Sequence, residues 1–173
     1  MVFTVVTDPA RLNQALFRVT HGLYILTAVH RGRKNGQCLD ALMQVTNAPP
    51  RVAIGVGKRS LTHEMIAETG RFAFSAIDRE APDCMEVIRH FGFQSGRDVD
   101  KFTGYEYSNT PNGLPLLVSA VAGYECMVMP EHTVDLGSHS LFIASVDWAQ
   151  TRESGDPLTY NEYRNTLKQE RKN

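Results

Sequence analysis

Short apolar runs at strand spacing make up most of this chain, and helical spacing is confined to a few stretches. The first of these stretches, ARLNQALFRV, follows Asp8-Pro9, an N-cap residue with proline at the first helical position. Gly22 is expected to end that helix. The run LYILTAVH then predicts a strand, and the polar segment RGRKNG predicts a hairpin turn. A second strand is expected at QCLDALMQVTNA and a third at RVAIGVG, after Pro49-Pro50.

The second half of the chain continues this mixture of strands and short helices. A helix is expected over residues 62–69, closed by Gly70, and then a strand at RFAFSAI and a helix at PDCMEVIRHFG. Residues 92–113 contain many turn formers, which indicates a long loop. Strands are expected at LPLLVSAVAGYECMVM and SHSLFIASVDWAQ, and LTYNEYRNTLKQE predicts a terminal helix. Many antiparallel strands with few helices predict a mainly β protein with short helices, built as a β-barrel.

Length, charge and cysteine usage exclude several classes of protein. The 173 residues fit one domain, and the net charge of −1 argues against a nucleic-acid partner. No segment has the pattern of a membrane span or a secretory signal, so no membrane association is expected. Cys38, Cys84 and Cys126 form no CxxC pair, which argues against a disulfide framework and favours a reducing, cytoplasmic location.

The segment KRSLTH, residues 58–63, gathers two cations and two hydroxyls where a strand meets a helix. The first backbone N–H groups of a helix lack internal partners, and the helix dipole favours anions there. One phosphate group would fit such a site, with hydroxyls from Ser60 and Thr62 and charge from Lys58 or Arg59. On composition alone the simpler interpretation is favoured: Thr62 is an N-cap, and the two cations lie on a solvated turn. Neither GxGxxG nor GxxxxGK[ST] occurs, so no standard nucleotide motif supports the site.

Two further motifs carry polar groups that also have simple structural interpretations. In FGFQSGRDVDKF the cations Arg97 and Lys101 alternate with Asp98 and Asp100, which surface ion pairs would explain. His139 precedes an apolar strand, where a structural histidine is common. No spacing of His, Cys and Asp residues indicates a metal site, and none is expected.

Taken together and in order, these segments resemble the flavin reductase-like family, in particular its ferric reductase, flavoredoxin and high-molecular-weight rubredoxin flavin-domain branch. The most specific blocks are THEMIAETGRF and FGFQSGRDVDKF, and the resemblance runs from about residue 15 to about residue 165. It implies a Greek-key split β-barrel, the FMN-binding split barrel, formed by a single domain over residues 1–173.

The resemblance also implies roles for particular residues. Ser60 and Thr62 would hold the FMN phosphate, with Lys58 or Arg59 as charge partners, and Lys101 would reach the phosphate or ribityl side. His139 would lie near the flavin and the nicotinamide as the candidate catalytic residue. The residues expected to line the isoalloxazine ring are Gln37, Cys38, Leu39, Asp40, Ala41 and Asn47. If Cys38 lies against the ring, its thiol would be partly exposed.

The chain departs from the family pattern at Asp40-Ala41, where related reductases usually carry Asn followed by Thr or Ser. Ala41 cannot donate a hydrogen bond towards the flavin N5 region. The Asp40 carboxylate would oppose negative charge on reduced flavin, which predicts a lowered reduction potential or weaker FMN binding. Two alternatives stay open for Asp40: its carboxylate accepts a hydrogen bond from the flavin N3–H, or it points away from the flavin.

The leading functional hypothesis is an FMN-binding oxidoreductase that takes hydride from NADH or NADPH and passes electrons to a second acceptor. Free flavin, a ferric complex and a redox protein are all open as that acceptor. A homodimer is expected, with each FMN near the interface and Tyr160 or Tyr163 possible neighbours of the ring. The alternatives are an FMN-bound electron carrier reduced by a partner protein, and a split-barrel ligand-binding protein without reductase activity.

Overall fold

The computed structural model describes residues 3–167, most of which form antiparallel strands. The strands are β1 (Tyr24–His30), β2 (Arg33–Leu39), β3 (Leu42–Asn47), β4 (Pro50–Gly57), β5 (Arg71–Ala76), β6 (Tyr107–Asn109), β7 (Pro115–Leu117), β8 (Ala122–Val128), β9 (Val134–Asp135) and β10 (His139–Thr151). The helices are α1 (Pro9–Leu16), α2 (Leu61–Thr69), α3 (Cys84–Phe93) and α4 (Tyr160–Glu162); a 3₁₀ turn covers Pro130–His132, and a π-helical turn, Tyr163–Leu167, continues α4.

One strongly curved sheet forms the body of the protein. Its strand order is β2-β1-β5-β8-β10-β4-β3, β9 pairs with β10, and every pairing is antiparallel. The two end strands, β2 and β3, are not paired with each other, so the barrel is open along one side. The predicted mainly β split barrel is therefore confirmed.

The barrel interior holds the largest of the three apolar clusters found within residues 3–167. Alternate residues of each strand point inward, among them Leu26, Ile54 and Phe72, and Ile66 of α2 closes one end. Each fully buried side chain of this size contributes roughly 1.5–3 kcal/mol. A second cluster lies between α3 and the outside of β1 and the segments near Leu158. The barrel is thus a filled core, and ligand sites must lie on its surface or at its ends.

Strand and turn boundaries differ from the sequence-based predictions at two places in the first half. The hairpin turn between β1 and β2 is only Arg31-Gly32, whose φ angles of 50° and 77° fit a two-residue turn, so β2 begins at Arg33. The expected second strand is two strands, because the chain breaks at Asp40-Ala41 between β2 and β3. That corner carries the chain from one edge of the open barrel to the other.

Helix boundaries differ as well. The first helix ends at Leu16, well before Gly22, and no residue of it is buried. α2 begins at Leu61 with Ser60 as its N-cap, so the interpretation of Thr62 as the N-cap is wrong. Gly70, with φ of 66°, closes α2 as expected. The predicted terminal helix is a short helical turn and a π-helical turn, and its last residues lie outside the described range.

None of the helices within residues 3–167 is both long and apolar enough to cross a bilayer.

Candidate functional site

A shallow trough runs along the outer face of β4. Val52, Ile54 and Val56 point into the barrel, so the alternate residues Ala53, Gly55 and Gly57 face outward. We call this surface the β4 trough. A Cβ atom on Gly55 would stand 3.4 Å from the Cβ of Ala41, and one on Gly57 would stand 3.5 Å from Nε2 of His139. Small residues at every second position therefore leave little side-chain bulk along this face, although Ala53 itself is only 2% exposed.

One end of the trough opens into a pocket of about 270 Å³, which we call the ring pocket. Its walls are mostly apolar and come from the segment before β1, the β2–β3 corner, β3, β4 and β10. The lining residues are Val19, Thr20, His21, Asp40, Ala41, Leu42, Met43, Ala53, Gly55 and Leu141. A mostly apolar concave surface with a few polar groups is the usual form of a small-molecule site.

The other end of the trough is the start of α2. Ser60 is the N-cap, and its Oγ accepts a hydrogen bond from His63 N at 3.1 Å, which leaves the Ser60 O–H free to donate. Within residues 3–167, no acceptor is found for the backbone N–H groups of Leu61 and Thr62. Two unpaired N–H groups, a hydroxyl donor and the helix dipole make this end suited to an anion.

The two cations at this end differ in their surroundings. Lys58 Nζ lies 2.6 Å from Oδ1 of Asp135, which also accepts from Gly137 N at 2.7 Å. These contacts hold the pKa of the Asp135 carboxyl below its usual range. The Asp135 carboxylate in turn neutralises the Lys58 charge locally. Arg59 is exposed and has no ion pair with any residue that the structure describes. The full positive charge available to an anion is therefore that of Arg59.

Two histidines flank the trough near Gly57. His139 is exposed, pairs across the strands with Gly57, and has Nδ1 2.8 Å from Ser138 Oγ. His63 lies deeper, with Nε2 2.8 Å from Ser140 Oγ and its ring against Phe142. Burial, with a contribution from the Lys58 charge, lowers the pKa of His63, so this ring is neutral at neutral pH. His139 is the histidine that a bound molecule could contact.

Thr62 does not present its hydroxyl to an anion. Its side chain is fully buried, and Oγ1 accepts a hydrogen bond of 2.8 Å from Asn35 Nδ2. The Asn35 side chain lies against Gly96, where any Cβ would overlap it. The predicted phosphate role of the Thr62 hydroxyl is therefore corrected: the residue offers its backbone N–H, and its side chain joins α2 to β2.

Lys101 is also turned inward, contrary to the expectation that it reaches a cofactor. Only 3% of it is exposed, and Nζ donates to the carbonyls of Gly36 and Phe91, each at 2.9 Å. Phe91 lies in the last turn of α3, whose carbonyls lack helical partners. Burial lowers the pKa of Lys101 to about 8. The residue joins the end of α3 to the end strand β2.

The residues expected to line a flavin ring divide into two groups. Asp40 and Ala41 line the ring pocket, and their contact with a flavin stays a prediction. The other four lie elsewhere: Gln37 and Cys38 on β2, Leu39 in the barrel core, and Asn47 at the end of β3, where it accepts from Gln44 at 2.6 Å. Cys38 is half-buried against the α3 cluster, and burial raises its pKa to about 12. Its thiol is therefore protonated at neutral pH and is not a reactive group of the trough.

Several residues of the site were missed from the sequence. The alternation of Ala53, Gly55 and Gly57 in RVAIGVG was a usable signal, because small residues at every second position leave one face of a strand bare. His21 and Leu141 gave no such signal, since only the fold brings them to the ring pocket.

The two tyrosines expected as possible neighbours of the ring lie near the end of the described chain. Tyr163 is buried in the α3 cluster, and Tyr160 donates its backbone N–H to the His21 carbonyl at 2.8 Å.

Residues 16–167 match the model of the flavin reductase like domain, so the chain belongs to the flavin reductase-like family. It is 41% identical over 150 residues to the high molecular weight rubredoxin of Moorella thermoacetica, and 36% identical over 151 residues to the ferric-chelate reductase (NAD(P)H) of Archaeoglobus fulgidus. Each alignment covers 87% of this chain. The chain spans 64% of the length of the Moorella relative and 87% of the Archaeoglobus relative.

Solved structures show the same fold. The NADH:FAD oxidoreductase SgcE6 of Streptomyces globisporus C-1027 superposes with a TM-score of 0.81 at 23% identity, over 91% of this chain and 93% of that chain. The flavoredoxin of Methanosarcina acetivorans superposes with a TM-score of 0.75 at 22% identity, over 88% and 77% of the two chains. The family and the fold are thus established by independent similarities.

Proposed function

We propose that the protein is an NADH- or NADPH-dependent oxidoreductase that binds FMN in the β4 trough. The observation that carries this proposal is a bare, mostly apolar trough that ends in a pocket at one end and in an anion site at the other. The six residues from Gly55 to Ser60 span at most roughly 17 Å of chain, which suits one flavin mononucleotide. A single phosphate-sized site favours FMN over a dinucleotide.

The described residues fit the parts of FMN. Ala41, Gly55 and Leu141 offer apolar contact to a planar ring in the ring pocket. The Ser60 hydroxyl, the N–H groups of Leu61 and Thr62, and the Arg59 guanidinium would hold the phosphate. Backbone donors at a helix start and an arginine are both common phosphate partners.

Bound FMN would supply the redox chemistry, accepting a hydride from NADH or NADPH and releasing the electrons to a second acceptor. The protein's own task is to hold the ring, exclude water from one face and leave the other face open to substrates. His139 lies beside Gly57 and would orient the nicotinamide or offset charge on it. Neutral His63 is hydrogen-bonded to Ser140 and would have a structural role, with no proton transfer assigned to it.

The second acceptor is proposed to reach the flavin from the part of the trough that a second copy would leave open. A ferric complex, free flavin and a redox protein all remain candidates for this acceptor. The Archaeoglobus relative, named a ferric-chelate reductase (NAD(P)H), favours the ferric complex as the first to assay. The cytoplasmic location expected from the sequence stays a prediction.

The function is tested by recording the visible spectrum of the FMN-loaded protein under argon, before and after NADH or NADPH is added. The proposal expects the flavin band to bleach within seconds and to return when ferric citrate is added. A flavin band that persists with both nucleotides, but bleaches with dithionite, would contradict the reductase and favour the electron carrier. A protein that stays colourless after incubation with FMN would contradict both.

Arg59→Gln should weaken FMN binding by about tenfold to a hundredfold, because a charge-assisted hydrogen bond to phosphate is worth roughly 1.5–3 kcal/mol. Riboflavin has no phosphate and provides the matched ligand control, so its affinity should not change. Arg31→Gln, at the exposed β1–β2 turn, is the control variant. Equal losses for FMN and riboflavin would place the phosphate elsewhere. The measurement is a titration of each flavin by fluorescence quenching.

We also propose that the protein is a homodimer in which a second copy covers the ring pocket. α1 has no buried residue, although isolated helices of eight residues are unstable in water, so it needs a packing surface. Two residues of the pocket wall, Val19 and Met43, are exposed and apolar. A patch of this kind around a ligand site usually marks a protein interface.

Light scattering should give twice the 19.3 kDa mass of one chain. Met43→Glu should shift the protein to the monomer and weaken FMN binding, because Met43 is exposed and lines the ring pocket. Phe93→Glu, which alters an equally exposed apolar residue on α3, should leave the mass unchanged. A monomeric wild type would contradict the dimer, and a monomeric variant with wild-type FMN affinity would contradict the interfacial site.

A further inference from the structure

His21 and Asp40 form an ion-pair geometry inside the ring pocket. Nδ1 of His21 lies 3.7 Å from Oδ2 of Asp40, and the two side chains are 34% and 41% exposed. Both residues line the pocket, whereas its other described lining residues carry no titratable side chain. The pair is therefore the local source of charge for whatever ring occupies this pocket.

The fold fixes both partners by their backbones. The His21 carbonyl accepts from Tyr160 N at 2.8 Å, and the next residue, Gly22, forms a bridge with Thr159. Asp40 lies at the β2–β3 corner, where its carbonyl accepts from Leu42 N at 2.9 Å. Two segments 19 residues apart in the sequence are thus held so that the imidazole reaches the carboxylate.

A carboxylate beside a redox-active ring has a predictable effect. Added electrons make the ring more negative, so an uncompensated Asp40 would destabilise the reduced form of the ligand. An exposed pair of this kind is weak in water. A ring lying over the pocket would exclude water from the pair and strengthen both the attraction and the repulsion.

We propose that His21 is a positioning residue that holds the Asp40 carboxylate and offsets its charge at the ring end of the trough. The relative affinity of the protein for reduced and oxidised FMN then depends on the presence of His21 beside Asp40. This inference rests on the proposed FMN site, and it accounts for how the chain accommodates a carboxylate at a corner where the residue pattern of the family has a neutral amide.

The surroundings contain few groups that could imitate this effect. The elements packed around the pair contribute only side chains that carry no charge. These residues are Val19, Thr20, Ala41, Met43, Ala53, Gly55 and Leu141. The nearby titratable and charged groups include Cys38, whose pKa is raised by burial and in part by Asp40, Tyr160, next to the His21 carbonyl, and His139, further along β10. Histidine is the side chain whose charge normally changes near neutral pH.

The test is a double-mutant cycle with the wild type, His21→Gln, Asp40→Asn and the double variant. The ratio of the dissociation constants for reduced and oxidised FMN is obtained at pH 5.5 and 8.5 from the midpoint potential of bound FMN, measured by spectroelectrochemistry. Because the ionisation of flavin itself is common to all four proteins, differences among them report the pair. At pH 5.5, His21→Gln should disfavour reduced FMN by about tenfold relative to the wild type. In the Asp40→Asn background the same change should have a clearly smaller effect, because His21 then has no carboxylate to hold.

The outcomes separate this inference from the proposed function. Equal ratios in the wild type and His21→Gln at both pH values, with FMN bound to both, would overturn the role of His21 and leave the FMN site standing. A His21→Gln effect that is equally large without Asp40 would also overturn it, because His21 would then act independently of the carboxylate. Failure of the wild type to bind FMN would remove both conclusions.

Discussion

Gly55→Leu should abolish FMN binding, raising the dissociation constant by at least about a hundredfold, or roughly 2.7 kcal/mol. Gly55 lies at the point where the β4 trough enters the ring pocket, and the 270 Å³ pocket has no room for both an isobutyl group and a planar ring. The leucine would point outward, so the barrel core should be unaffected. The measurement is a titration with FMN and with riboflavin, both of which should lose affinity.

Gly55→Ala is the matched control for this experiment. A Cβ at this position would stand 3.4 Å from the Cβ of Ala41, an ordinary contact, and the backbone has no positive φ. The alanine variant should therefore fold and should bind FMN within a few-fold of the wild type. If Gly55→Leu keeps its riboflavin affinity while its thermal midpoint is unchanged, the ring does not lie in this pocket.

Lys101→Met should destabilise the protein by about 2–4 kcal/mol at neutral pH, because it leaves the carbonyls of Gly36 and Phe91 buried without donors. The two hydrogen bonds from Lys101 need only two N–H groups. Neutral Lys101 has them too, so they persist when the side chain loses its charge. The loss should appear in urea denaturation followed by circular dichroism, with little effect on the fluorescence of bound FMN.

The same variant should reveal a pH dependence of known sign. The pKa of Lys101 is lowered from 10.5 to about 8 by burial, so between these values the unfolded chain binds more protons than the folded chain. The free energy of unfolding therefore rises with pH in this window, and the wild type should gain up to about 3 kcal/mol relative to Lys101→Met. Lys34→Met, which removes a lysine whose Nζ lies 5.4 Å from the Tyr107 ring, controls for the loss of one charge. A difference that is constant from pH 7 to 10 would contradict the assignment.

The parts of the fold set by local chemistry were predictable from the sequence. Asp8-Pro9 and Gly70 mark helix ends through capping and a positive φ, and alternating apolar residues predict β4 and β5. The unpaired N–H groups at the start of α2 were predictable too, because they occur at every helix start. The break at Asp40-Ala41 was not, because the apolar pattern continues through it and only closure of the sheet requires a corner there.

The residues that line the ring pocket were predictable only where the β2–β3 corner itself forms the pocket wall. Asp40 and Ala41 line the ring pocket, whereas their neighbours Cys38 and Leu39 face the α3 cluster and the barrel core, since successive residues of a strand point to opposite sides. Lys101 and Thr62 show the opposite error. A lysine and a threonine in a polar motif suggest a ligand site, but here they satisfy buried carbonyl and amide groups. Their partners lie 65 and 27 residues away, so no local pattern reveals them.

A crystal structure of the protein grown with FMN would test the central claim most directly. The account predicts the isoalloxazine ring against Ala41, Gly55 and Leu141, and the phosphate against Arg59, Ser60 and the first N–H groups of α2. An aromatic-lined alternative is a cavity of about 430 Å³, lined by Tyr24, Phe74 and Tyr124 among others. A flavin ring in that cavity, or a phosphate away from α2, would contradict the account.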